Sequence, residues 1–102
     1  MKINILEKFA QDYTTRPAGE KLRKMIIKAA ENDKKIELDF SGLKIASASF
    51  FDESIGKLPD EPKGHDALKK VVVFHIHKLD YSLLEQICQT RDVETPAQGQ
   101  KK

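Results

Sequence analysis

Ile36 to Leu58, IELDFSGLKIASASFFDESIGKL, holds a strand, a bend and a helix in one run. Ile36, Leu38 and Phe40 alternate with Glu37 and Asp39, the period of two that marks a strand with one buried face. Ser41-Gly42 ends it. After Leu43, Lys44 and Ile45, the apolar residues Phe51, Ile55 and Leu58 recur at spacings of four and three, the helical period. The chain thus switches from strand to helix across its serines. Ser47 and Ser49 fall where that helix begins, and a hydroxyl there can accept from a free backbone N–H of the first turn. Ser49-Phe50-Phe51-Asp52 also has the capping-box form, a serine followed three residues later by a carboxylate. The structural reading is an N-cap. The functional reading is a switch serine, whose phosphoryl group would gain from the free N–H groups and the helix dipole. Asp52 and Glu53 oppose it, because they already complement that dipole.

Working outward, Ile3 and Ile5 alternate with Lys2 and Asn4 and predict a first strand, extending toward Phe9. Thr14-Thr15-Arg16-Pro17 reads as a loop entering a helix, with Pro17 in the first turn where its missing N–H costs nothing. Leu22, Met25, Ile26, Ala29 and Ala30 give that helix one apolar face until Asn32-Asp33 ends it, and Gly19 in its first turn reads as permissive packing. Residues 59 to 67, PDEPKGHDA, predict a mobile surface loop. KVVVFHI, Lys70 to Ile76, is nearly continuous in apolar character and predicts a strand buried on both faces. Leu79, Leu83, Leu84, Ile87 and Cys88 then mark a last amphipathic helix, and residues 93–102 lack a burial pattern and predict a disordered tail.

The expected order is β-α-β-α-β-α, an α/β fold in one domain over residues 1–92, with a mostly parallel or mixed sheet of three or four strands and helices packed on it. Ligands of such sheets sit outside the carboxyl ends of the strands. That edge carries Ser41 to Ser49 and His75 to Lys78.

Composition narrows the function. The 102 residues suit one modest core, and 18 basic against 16 acidic residues leave a net charge of +2, too little for a global field to draw the chain onto nucleic acid or lipid. No apolar run approaches the roughly 20 residues of a membrane helix, and the amino-terminal stretch has no uninterrupted apolar core of signal-peptide length. The single cysteine, Cys88, sits in an apolar helical pattern and reads as a small buried hydrophobe. A cytoplasmic location and no cofactor are the simplest expectations.

Three chemistries compete. His75 and His77, two apart on a strand, could share a face and begin a metal site, with His65 and Asp66 as further ligands only if their loop folds back. Ser47 or Ser49 could act as a nucleophile with His75 as base, but there is no G-x-S-x-G elbow. The alternative is thus a small hydrolase or metal-binding protein using Ser49 with His75 and His77. Arg16, Lys21, Arg23, Lys24 and Lys28 cluster on one helix, yet Glu20 and Glu31 flank them and no aromatics interleave, so nucleic acid is not the expected partner. Asp39 reads as a strand-end carboxylate accepting N–H groups of the loop.

The segment resembles the STAS fold, the sulphate-transporter and anti-sigma-factor-antagonist domain, and is most similar to bacterial STAS-like domains of unknown function. The likeness rests on Leu38-Asp39-Phe40-Ser41-Gly42, then Ser49-Phe50, Asp52-Glu53 and Gly56-Lys57-Leu58, and upstream on Thr15-Arg16-Pro17, Gly19 and Leu22-Arg23. It spans about residues 3 to 91. The antagonists' aspartate-serine-serine-glycine loop reads Ser47-Ala48-Ser49-Phe50 here, without the aspartate and the glycine. The resemblance implies a non-enzymatic regulatory module docking on a protein partner, by analogy a histidine-kinase-like ATPase. Ser49 would be the switch, Ser47 the alternate, and Phe50, Asp52, Glu53, Lys57 and Arg16 the partner contacts, with Phe50 an exposed anchor.

Overall fold

A computed structural model of the chain describes residues 1–9, 12 and 14–99. Among them lie four strands, β1 (Lys2–Asn4), β2 (Ile36–Asp39), β3 (Val71–Phe74) and β4 (Ala97–Gln98), hydrogen-bonded in the order β1-β2-β3-β4 and all parallel. The helices are α1 (Ile5–Phe9), α2 (Arg16–Ala30), α3 (Ala48–Phe51), α4 (Gly64–Lys70) and α5 (Lys78–Thr90). α3 runs straight into a π-helical turn, Asp52–Gly56, followed by a 3-10 turn, Leu58–Asp60.

The register decides which side of the sheet is core. Ile3 pairs with Leu38 and Leu38 with Val73, and all three are fully buried. Strand alternation puts Lys2, Glu37, Val72 and Ala97 on the opposite face, where Lys2 and Ala97 are exposed and Glu37 and Val72 half-buried. Neighbouring parallel strands in sequential order, joined by right-handed crossovers, carry their helices on one face. Accordingly Ile5, Phe9, Leu22, Ile26, Phe50, Phe51, Ile55, Leu68 and Leu84 form one cluster with the inward strand residues.

Three expectations change. The chain turns helical at Ile5 instead of extending β1, because Asn4 Oδ1 accepts the Glu7 N–H at 3.0 Å and the i, i+4 pair Ile5 and Phe9 both reach the core. Residues 59–67, expected as a mobile loop, hold the 3-10 turn and the start of α4. β3 keeps its expected burial on both faces: Val71 and Val73 are buried on one, and Phe74 is buried on the other, where Val72 is half-buried. The expected disordered tail supplies β4: Gly99 N–H donates to Val73 O at 2.8 Å, and Tyr81 Oη donates to Pro96 O at 2.8 Å. Residues 100–102 of that tail lie outside the described residues.

Candidate functional site

The serine loop leaves the carboxyl end of β2 and is pinned at three places. At its start Asp39 Oδ1 accepts from Ser41 N–H at 3.0 Å and from Ser41 Oγ at 2.6 Å, with Lys2 Nζ 3.6 Å from Oδ2. Burial pushes the Asp39 carboxyl up, but those bonds and the Lys2 charge win and hold it below the usual range. This is the loop-organising role expected of Asp39. In the middle, Asp80 from the first turn of α5 accepts the Ile45 N–H at 2.6 Å and the Ala46 N–H at 2.8 Å while only 1% exposed. At the end, Ser47 Oγ accepts the Phe50 N–H at 3.2 Å and donates to Thr14 O at 2.5 Å. Ser47 is therefore the N-cap, and Ser49 lies half-buried one residue inside α3, not at its cap.

Behind the loop the acidic pair is locked into the fold. Asp52 takes Arg91 Nε at 2.5 Å and Nη2 at 3.0 Å, and Arg16 Nη1 at 3.3 Å. Glu53 takes Arg16 at 2.8 Å and both its oxygens lie 3.0 Å from Lys57 Nζ, while Arg23 bonds the Glu53 backbone carbonyl and reaches Glu61 at 2.9 Å. The hydrogen bond from Arg91 is the leading cause that lowers the Asp52 carboxyl; for Glu53, burial raises it and the bonds from Lys57, Arg16 and Arg23 outweigh that. The cluster joins α2, the π turn and α5. Gly19 makes it compact, since a Cβ there would lie 2.7 Å from Phe50 O and 2.8 Å from Glu53 Cβ. Its reading as permissive packing understates a close approach that only glycine allows.

Two expected partner contacts are corrected. Phe50 is fully buried, edge-on to Phe9 at 6.1 Å and to Phe51 at 5.8 Å, because α3 packs against both α2 and α5. Glu53, 8% exposed, faces Arg16, Arg23 and Lys57 and not solvent. Asp52 and Lys57 are half-buried in the same network, and Arg16 is its most exposed cation. The histidines do not share a strand face: β3 ends at Phe74, His75 has φ of 55°, and His77 caps α5 by accepting the Leu79 N–H on Nδ1 at 3.1 Å. Among the described residues no three His, Cys, Asp or Glu side chains gather as a metal site. Cys88 is buried as expected, and its thiol is pushed up by burial.

Sequence reasoning missed Asp80, Arg91 and Leu79. Asp80 had one signal, an acidic residue at an inward position of an amphipathic helix with Leu84 and Cys88. Leu79, 59% exposed, was assigned to the core face of α5 but stands in solvent beside the loop.

An all-parallel, sequentially ordered sheet with helices on one face and a pinned serine loop at its carboxyl edge defines a small two-layered α/β module. A model of the STAS-like domain of unknown function (DUF4325) matches residues 18–80, more than half of the chain, and the chain belongs to that family. No curated protein and no solved structure matches it. Among the described residues no helix is long and apolar enough to cross a membrane.

Proposed function

We propose that this chain is a non-enzymatic docking module that presents its serine loop, Lys44 to Ser49, and the adjoining start of α5 to a protein partner. The observation that carries the proposal is the double hydrogen bond from Ile45 and Ala46 to buried Asp80, which fixes the loop's shape while leaving Lys44, Ala46 and Ala48 exposed. A surface held this way loses little entropy on binding. Non-enzymatic function is supported by how two of the groups weighed for chemistry are used: the Ser47 hydroxyl is a cap that donates to Thr14 O, and His77 is the cap of α5. Regulation belongs to the same proposal, with Ser49 as the switch residue and a histidine-kinase-like ATPase, named by the family resemblance, as partner in the cytoplasm. The side chains of Asp52 and Glu53 are already neutralised by Arg16, Arg23, Lys57 and Arg91, which lowers the repulsion that a phosphoryl group on Ser49 would otherwise meet.

The test is affinity capture from native extract on the purified chain and on Ser49→Asp, with mass spectrometry of what is retained and of Ser49 itself. The expected result is one partner held by the unmodified chain and lost from Ser49→Asp. Equal capture by both removes the switch, and capture of nothing removes the docking role.

A further inference from the structure

We infer that the docking surface takes an acidic amphipathic helix, laid along α5 beside the serine loop. The inference rests on the docking reading above and adds the chemistry of the partner. α5 buries Asp80, Leu84 and Cys88, and the next row of the same helix, at a spacing of four, starts at exposed Leu79 and continues through Leu83 and Ile87, which pack against the core with part of their surface left open. Leu79 is 59% exposed, while Leu83 and Ile87 are half-buried. With Ala48, Asp52, Gln86, Thr90 and Arg91 the latter two line an open groove of about 410 Å³ between α3 and α5. An apolar row at this spacing beside a groove is the shape that receives the anchors of an amphipathic helix.

Charge selects the kind of helix. The loop's bonds to Asp80 bring Lys44 beside the first turn of α5, where Lys78 stands, and the Phe40 N–H bond to Phe74 O sets the end of β3, with exposed His75, at the same edge. Lys44 and Lys78 are exposed and form no ion pair among the described residues. The carboxylates of this edge, Asp39 and Asp80, are buried and satisfied by the loop. Exposed Asp12 accepts from Thr15 Oγ1 ahead of α2, and Glu85 stands with Tyr81 on the flank of α5 that Lys78 begins, two turns further from the loop than Lys78. The apolar row thus runs up to a cationic end. A complementary partner carries leucine-type residues at i and i+4 and carboxylates at the end that meets the loop.

The experiment is selection of a displayed library of helical peptides on the folded chain, with affinities of the enriched peptides then measured for variants. The expected result is enrichment of acidic amphipathic helices whose binding falls about tenfold or more with Leu79→Asp and with the pair Lys44→Glu and Lys78→Glu. All three sites are exposed, so the variants keep the fold, as circular dichroism verifies. Enrichment of basic helices, no enrichment, or binding indifferent to these variants overturns the inference. So does binding to phosphatidylserine-containing vesicles in place of any peptide, which would make the surface a lipid site. A native partner captured as described above but insensitive to Leu79→Asp would sink the helix and leave the docking role standing.

Discussion

Replacing Asp80 by alanine removes the acceptor for two backbone N–H groups of the serine loop at once. Ile45 N–H is buried and Ala46 N–H part-buried, so neither gains full access to water when the carboxylate goes. A hydrogen bond to a charged group contributes about 1.5–3 kcal/mol, and an orphaned buried donor costs a similar amount. The bonds share one acceptor and are not additive, so the expected loss is about 3–4 kcal/mol, a large share of the roughly 5–15 kcal/mol typical of a domain. At about 4–8 °C per kcal/mol for a domain of this size, Tm falls by about 12–30 °C. Asp80→Asn keeps an oxygen acceptor without the charge and should lose about half as much. Urea unfolding followed by far-UV circular dichroism gives the free energy, and amide exchange gives the local effect, with protection at Ile45 and Ala46 lost well before the β2 amides open. A loss below about 1 kcal/mol, or unchanged protection at those two amides, would refute the claim that Asp80 shapes the loop.

Ser47→Ala should cost about 1 kcal/mol by denaturant titration as a lost N-cap, whereas Ser49→Ala should stay within about 0.5 kcal/mol; the reverse order would return the cap to Ser49. Gly19→Ala should cost about 1–3 kcal/mol, since its methyl group meets Phe50 O and Glu53 Cβ, and an unchanged midpoint would show that α2 moves freely away from α3. Asp39, Asp52 and Glu53 have carboxyls held low in the folded chain, so each stabilises it above the ordinary carboxylate range and loses that contribution as pH falls through the lowered folded value. Stability measured against pH should therefore drop on acidification and vary little around neutrality, and the drop should be shallower in Asp52→Asn with Glu53→Gln; an acid limb unchanged in that double variant would contradict the network.

The elements with a clean period were legible in the sequence. β2 followed from Ile36, Leu38 and Phe40, α2 from Leu22, Met25 and Ile26, and α5 from Leu84 and Cys88, because burial on one face writes its spacing into the chain. Elements made by backbone bonds or by short local chemistry were not. β4 is two polar-pattern residues held by pairing with β3, and α1 hides in Ile3 and Ile5, which fit a strand as well as Ile5 and Phe9 fit a helix. Phe50 was misplaced because adjacent Phe50 and Phe51 are both fully buried, Phe50 against Phe9 of α1 and Phe51 against Phe40 just past β2, which a single 3.6-residue stripe does not anticipate. The site was legible as a loop but not as a geometry. Arg16, Arg23, Arg91, Asp52 and Glu53 are charged residues scattered over 76 positions, and nothing in their local sequence says that one network joins them. The serine order is the same lesson at short range: Ser49 had the motif, and Ser47 has the cap because the helix starts at Ala48 and Asp52 is drawn to Arg91.

The central claim, that the pinned loop is a docking surface, is tested most directly by amide chemical-shift mapping of the isotope-labelled chain on adding the partner recovered by affinity capture. The account predicts shifts concentrated at Lys44 to Ser49 and along α5 from Leu79 to Ile87. Shifts confined to β4 or to the lysine face of α2, with the serine loop unmoved, would contradict it.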